Sequence, residues 1–332
     1  MSELEIAAGA PATEDDDADA REYEYAVQLQ RILGPAVMRF YDDLATSELY
    51  VNPDGQVWTV VRGRGHQPTG IRLPRTTVEA FLNVAAARQG RTITRREPGL
   101  DGELPRPVFG GARLQGVMPP VTEGPTFHAR KRPTDIVPLE SYRDDGTLSP
   151  RRFDVLHEAV LRGDTIVVGG TVSSGKSYLL NSLIDYQVRH LADPYSLIFV
   201  IEDTVEVVCK AANVKHMRTT PECGFDLLLF WSLRMTPRFL HLNECRRAAL
   251  QMLEMWATGH PGYCTLHAAN AEGVLERARR MARRDSGRDE GWLVANAIQF
   301  VVMIRGTATG REIHEVARVT GYRRGRFLLE RF

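Results

Sequence analysis

A strand, a glycine turn and the start of a helix follow one another between Asp164 and Ile184, and that succession limits the fold more than any other feature. Asp164-Thr165-Ile166-Val167-Val168-Gly169 is a short β-branched run of the kind buried in parallel sheets. Gly170-Thr171-Val172-Ser173-Ser174-Gly175-Lys176-Ser177 then fits G-x-x-x-x-G-K-[ST] at every fixed position, and Tyr178–Ile184 continues with helical apolar spacing. Orphan amides and the helix dipole make such a turn an anion site. Its N–H groups can wrap nucleotide phosphates, Lys176 can reach the β- and γ-phosphates, and the Ser177 hydroxyl can ligate Mg²⁺. These eight residues, with Tyr178 just beyond them, are the candidate nucleotide-binding set.

A chain of 332 residues points to about two domains. No apolar run approaches the ~20 residues of a membrane span, and the amino terminus is acidic rather than basic and then apolar. The four cysteines, Cys209, Cys223, Cys245 and Cys264, form no C-x-x-C pair, which favours buried, reduced thiols in a cytosolic protein over a metal site. A net charge of zero hides an asymmetry. Residues 1–21 carry seven carboxylates against Arg21 alone, so with 42 basic and 42 acidic residues in all, the remainder is net positive by six. Such a segment cannot bury enough apolar surface to order itself, and residues 1–21 are expected to be a disordered acidic arm.

From Glu22 to about Ser47 apolar residues recur at helical spacing, interrupted by Pro35. Glu48–Val51 and Gln56–Val61 flank Asn52-Pro53-Asp54-Gly55, a hairpin signal, and a helix is expected from Thr77 to Arg88. Extended pieces at Leu114–Met118 and Thr126–Ala129 complete a small α+β domain over 22–137. Residues 138–150 read as a polar linker. Ser149 and Pro150 then supply an N-cap and a first helical residue. Strands and helices alternate over 151–332, which implies an α/β domain with a mostly parallel sheet, flanking helices and a ligand site at the strand carboxyl ends.

Two acidic candidates lie just past apolar strands: Ile201-Glu202-Asp203-Thr204-Val205-Glu206 and Asn243-Glu244. A carboxylate there could accept a proton from attacking water or hold Mg²⁺, directly or through water. His267 ends a further strand, where it is a candidate γ-phosphate sensor. A satisfied core or surface histidine is the alternative.

Taken in order, these motifs resemble the secretion or traffic ATPase superfamily, most of all its conjugal-transfer, type IV secretion branch. That family's Walker A, Asp box, Walker B and His box match Gly170–Ser177, Ile201–Glu206, Leu242–Arg246 and Thr258–Asn270. Asn52–Gly55 and Gly111–Lys131 match its amino-terminal part, so the resemblance covers about residues 45–285. It implies a RecA-like P-loop NTPase domain behind a smaller, PAS-like α+β domain, and a ring, a hexamer, of such subunits that hydrolyses ATP with Mg²⁺. The residues it assigns to catalysis are Lys176, Glu202, Glu244, Arg246 and His267, with Mg²⁺ at Ser177, Glu202 and Glu244. Arg113 and Arg130 match amino-terminal arginines that approach the nucleotide, a task suited to the planar guanidinium fork. The implied work is conjugative transfer or type IV secretion, as pilus assembly or export of DNA or protein. It would be done in the cytoplasm beside inner-membrane components of the apparatus, with peripheral membrane association.

The sequence departs from the family at several points. Val172 and Ser173 stand where a Gly-Ser pair is usual, Pro237-Arg238 where Pro-Asp is usual, and Asn243 where a glycine precedes Glu244. Arg247 replaces a small residue and His241 interrupts an apolar strand. One alternative within the same enzyme class is a type IV pilus or type II secretion motor; the departures motivate another, a nucleotide-binding ring subunit with impaired hydrolysis. The basic segment Arg277–Arg288 could touch nucleic acid or anionic lipid, but without interleaved aromatics a solvated helix face with local ion pairs is favoured. Leu227–Trp231 is apolar all round, as a buried helix or a subunit interface would be.

Overall fold

The computed structural model describes residues 14–133, 136–220, 222–245, 248–307 and 310–332. It divides into two compact units, Met1–Arg132 and Pro133–Phe332.

In the first unit, helices α1 (Glu14–Leu33) and α2 (Pro35–Asp42) are separated at Gly34, whose φ of 77° ends one helix before Pro35 begins the next. Residues 14–21, expected in the disordered arm, are thus helical; residues 1–13 lie outside the described residues. Six strands follow: β1 (Thr46–Val51), β2 (Gln56–Val61), β3 (Gly65–Arg72), β4 (Gly99–Glu103), β5 (Arg113–Val117) and β6 (Thr126–Arg130), with α3 (Arg75–Arg88) and α4 (Arg106–Phe109) between them. They pair antiparallel in the order β3-β2-β1-β6-β5-β4. At the β1–β2 turn Gly55 has φ of 84°, and a Cβ there would lie 2.3 Å from the Leu73 carbonyl oxygen, so only glycine fits. Phe81, Leu82, Leu100, Leu114 and Phe127 fill the core beneath the sheet.

The second unit opens with α5 (Leu139–Asp144) and α6 (Pro150–Arg162). Residues 138–150, expected as a linker, instead bury Leu139, Tyr142 and Leu148 in this unit's core. Ser149 does cap α6, its Oγ accepting from the Arg152 N–H at 3.4 Å. Then come β7 (Ile166–Gly170), α7 (Lys176–Arg189), β8 (Ile198–Glu202), β9 (Val214–Arg218), α8 (Phe225–Met235), β10 (Phe239–Leu242), α9 (Ala249–Ala257), β11 (Tyr263–His267), α10 (Ala271–Ser286), α11 (Gly291–Ala297), β12 (Phe300–Thr307), β13 (Gly310–Arg323) and β14 (Arg326–Arg331).

Strands β9-β8-β10 are parallel, as are β11-β7-β12, and β13 and β14 add antiparallel. The two parallel groups are joined by a bridge between Glu244 and Thr265 and by the Leu240 N–H donating to the Pro261 carbonyl at 2.9 Å. Alternate residues along each strand serve two cores, as the pleat requires. Val167, Ile201, Leu242 and Leu266 face α8–α11, while Ile166, Val168, Val200 and Tyr263 face α5–α7. Both faces are covered, which leaves the strand ends as the place where polar chemistry can gather.

Candidate phosphate-binding site

β7 delivers its last residue, Gly170, into the loop that α7 closes. Tight packing at both glycines shapes this loop. A Cβ on Gly170 would lie 2.4 Å from the Ile304 carbonyl oxygen and 2.5 Å from Ser174 Oγ, and Gly175 takes φ of 103°. Ser173 adopts φ of 59° without being glycine, a left-handed conformation that costs on the order of 1 kcal/mol. Ser174 is buried, and among the described residues its hydroxyl has no hydrogen-bond partner. A close-packed cradle with an orphaned hydroxyl fits a phosphate group well.

Four of the sequence motifs meet here. β11 pairs parallel with β7 so that His267 stands opposite Gly170. The Lys176 ammonium, itself buried, donates to the Thr171 carbonyl at 2.7 Å and lies 3.1 Å from His267 Nδ1. On its other side the imidazole Nε2 is 3.7 Å from Glu244 Oε1. Glu244 is held there because the strand bridge to Thr265 fixes its backbone, with the Thr265 hydroxyl donating to the Asn243 carbonyl at 2.7 Å. Lysine, histidine and carboxylate thus form one continuous polar line.

The loop after β8 brings a carboxylate to Ser177, and that carboxylate is Glu206 rather than Glu202. Glu202 turns back on its own loop: one carboxylate oxygen accepts from the Glu206 N–H at 2.7 Å and the Val207 N–H at 2.6 Å. It is only 2% exposed, and its other oxygen is 3.8 Å from His216 Nδ1 on β9. Glu206 is the acid at the loop, accepting from the Ser177 hydroxyl at 2.6 Å. Asn181, one helical turn after Ser177, clamps this segment by donating to the Glu206 carbonyl and accepting from the Val208 N–H, each at 3.0 Å. Glu202 is the acid that the family resemblance assigns to the Asp box. A polar asparagine on the buried face of an apolar helix was the available signal for Glu206.

Asn243, which departs from the family's glycine, ties the two acid-bearing loops together. Its side-chain amide donates to Asp203 Oδ1 at 2.8 Å and to the Thr204 carbonyl at 3.0 Å. Arg246 lies outside the described residues. Arg113 and Arg130 are exposed and directly opposed on β5 and β6 of the first unit. Like charges so placed repel, and Glu48, 3.7 Å from Arg130, offsets the repulsion. Val172 and Thr171 are exposed at the loop tip, and Tyr178 is half-buried.

In the basic segment Arg279 is paired with Glu276 and Asp289 and stacks on Tyr322, and Arg284 meets Asp285 at 4.0 Å. The apolar helix α8 is two-faced: Leu228 and Leu229 are buried, while Phe230 is 50% and Trp231 42% exposed. All four cysteines are free thiols, and burial pushes that of Cys245 up to about 12. Among the described residues no helix is long and apolar enough to cross a membrane.

Residues 114–316 match the family described as Type II/IV secretion system protein. The conjugal transfer protein TrbB of Rhizobium radiobacter is 30% identical over 307 residues, covering 92% of this chain and 93% of its own length. A probable conjugal transfer protein TrbB of Sinorhizobium fredii is 29% identical over 305 residues, covering 91% of this chain and 92% of its own length. The X-ray structure of the Legionella pneumophila ATPase DotB aligns with a TM-score of 0.56 at 19% identity, covering 98% of this chain and 82% of that one, a likeness of fold. The chain therefore belongs to the type II/IV secretion system protein family of secretion NTPases, close to its conjugal-transfer members.

Proposed function

We propose that this protein is a ring-forming ATPase that powers conjugative transfer or type IV secretion. The observation that carries the reading is the convergence of Lys176, His267 and Glu244 on one side of the loop with Ser177 and Glu206 on the other. Phosphoryl transfer to water asks for a cradle, a metal, a group that orients water and a cation for developing charge. Each has a resident here. The loop amides from Gly170 to Tyr178 form the cradle and Lys176 is the cation. Mg²⁺ would be held by the Ser177 hydroxyl and the Glu206 carboxylate, oxygen donors that suit a hard cation, and would polarise the transferring phosphoryl group. Glu244 accepts the proton of the attacking water. His267, in reach of both Lys176 and Glu244, reports whether the terminal phosphate is present. Glu202 shapes the Asp-box loop rather than holding metal.

The present contacts of Lys176 and Ser177 are then resting contacts, which the nucleotide phosphates and their metal would replace. The finer architecture belongs to the same reading: a RecA-like fold for the second unit and a PAS-like fold for the first. Arg113, Arg130 and Arg246 would serve the nucleotide in the assembled ring, six subunits working at the cytoplasmic face of the inner membrane with envelope components of the apparatus. Ring assembly is supported by α8, since a monomer gains nothing from exposing Phe230 and Trp231 on one helix. The test is steady-state phosphate release measured across size-exclusion fractions. Turnover should track the ring fraction and should fall together with it in Trp231→Glu; a ring without turnover would refute the reading.

A further inference from the structure

Lys176, His267 and Glu244 account for the terminal-phosphate end of the loop, and a second cation stands at the other end. β12 runs parallel to β7, with Met303 beside Gly169, and continues past it, so the β12–β13 hairpin arrives at the same edge of the sheet as the phosphate loop. Arg311, on the returning strand opposite Gly306, lies over Gly175. A Cβ on Gly175 would be 2.8 Å from both Cδ and Nε of Arg311. The guanidinium also sits 5.8 Å from the centre of the Tyr178 ring. Its neighbour Arg305 is neutralised by Glu312 at 2.7 Å, whereas among the described residues no carboxylate pairs with Arg311. An exposed guanidinium laid across the N-terminus of a helix meets a repulsive dipole, and that placement is favourable only when an anion lies between them.

We propose that Arg311 is a binding residue for the α-phosphate end of a nucleoside di- or triphosphate held in this loop. The assignment rests on the nucleotide reading given above and extends it to a residue outside the four motifs. In such loops the backbone amides serve the α- and β-phosphates while the lysine reaches the β- and γ-phosphates. Gly175 and Tyr178 flank the former, so Arg311 acts on the part of the ligand that survives hydrolysis. It therefore sets affinity for the diphosphate product as much as for the triphosphate. Tyr178 steadies the guanidinium by cation–π contact.

Calorimetric titration of the full chain with Mg²⁺-ADP, and competition by pyrophosphate, test this. Arg311→Ala should weaken ADP about tenfold, the value of one charge-assisted phosphate contact. Arg311→Lys should recover part of the loss. Pyrophosphate affinity should stay at the wild-type value, and so should the melting temperature of the unliganded variants, because the side chain is exposed. Unchanged ADP affinity in Arg311→Ala would overturn the proposal, as would an equal loss for pyrophosphate. A wild-type protein that binds neither ADP nor ATP would instead refute the nucleotide reading itself, and this assignment with it.

Discussion

Two ends of the same parallel sheet use polar residues in opposite ways. At the carboxyl ends Lys176, His267 and Glu244 contact one another through side chains, as separately do Ser177 and Glu206, and each contact can be exchanged for one to a ligand. Toward the opposite end, His241 of β10 is fully buried and accepts from the Tyr263 N–H at 3.0 Å, while the Tyr263 hydroxyl accepts from Gln187 at 3.0 Å. Those bonds are closed inside the core and have no ligand to trade with. The functional end is recognised by replaceable partners, since polar residues occur at both.

Breaking this contrast should cost most at Lys176. Lys176→Ala is expected to lower phosphate release at least about 100-fold, roughly 3 kcal/mol of transition-state stabilisation, with unchanged circular dichroism. Turnover at the wild-type rate would exclude the loop as the reaction centre. The two acids of the Asp-box loop should separate next. Glu206→Gln should cut Mg²⁺-dependent turnover by about 30–100-fold without altering the melting temperature. Glu202→Gln should lower stability by about 1–3 kcal/mol, because its two backbone donors weaken, and should spare the metal dependence. The reverse pattern would restore Glu202 as the metal acid.

His241 carries the pH prediction for the closed end. Burial pushes its pKa down to about 3, so the unfolded chain takes up the proton first. Its contribution to stability is complete above the unfolded value of about 6.5 and is lost as pH falls toward 3, about 2 kcal/mol by pH 5. Urea unfolding of wild type and His241→Phe should show their stability difference shrinking by that amount between pH 7 and 5; a difference constant with pH would place the imidazole in contact with water. Ser173→Gly is the smallest change, a gain of about 1 kcal/mol or less from relieving φ of 59°, measured by thermal melting.

The sequence was most legible where burial constrains every residue. β7, β8 and β10–β12 are apolar runs because both faces are covered, and the loop they feed matches a fixed pattern. Legibility failed at three edges. β3 (with Pro68 and Gly70), β4 (two glycines) and β9 (Lys215, His216) are the outermost strands of their sheets, where one side needs no partner and composition carries little strand signal. Residues 138–150 look like a linker by composition, yet three apolar side chains are enough to dock them. Within the site, Lys176 and Ser177 follow from spacing alone. The contact of Glu206 with Ser177 does not follow from motif position, which says which residues lie near a strand end but not which carboxylate the loop's own amides will claim.

A double-mutant cycle on phosphate release bears most directly on the convergence of His267 and Glu244 at Lys176. If the line from Lys176 through His267 to Glu244 acts as one unit, His267→Ala combined with Glu244→Gln will be about as slow as the slower single variant. Losses that multiply would show two independent groups and contradict the account.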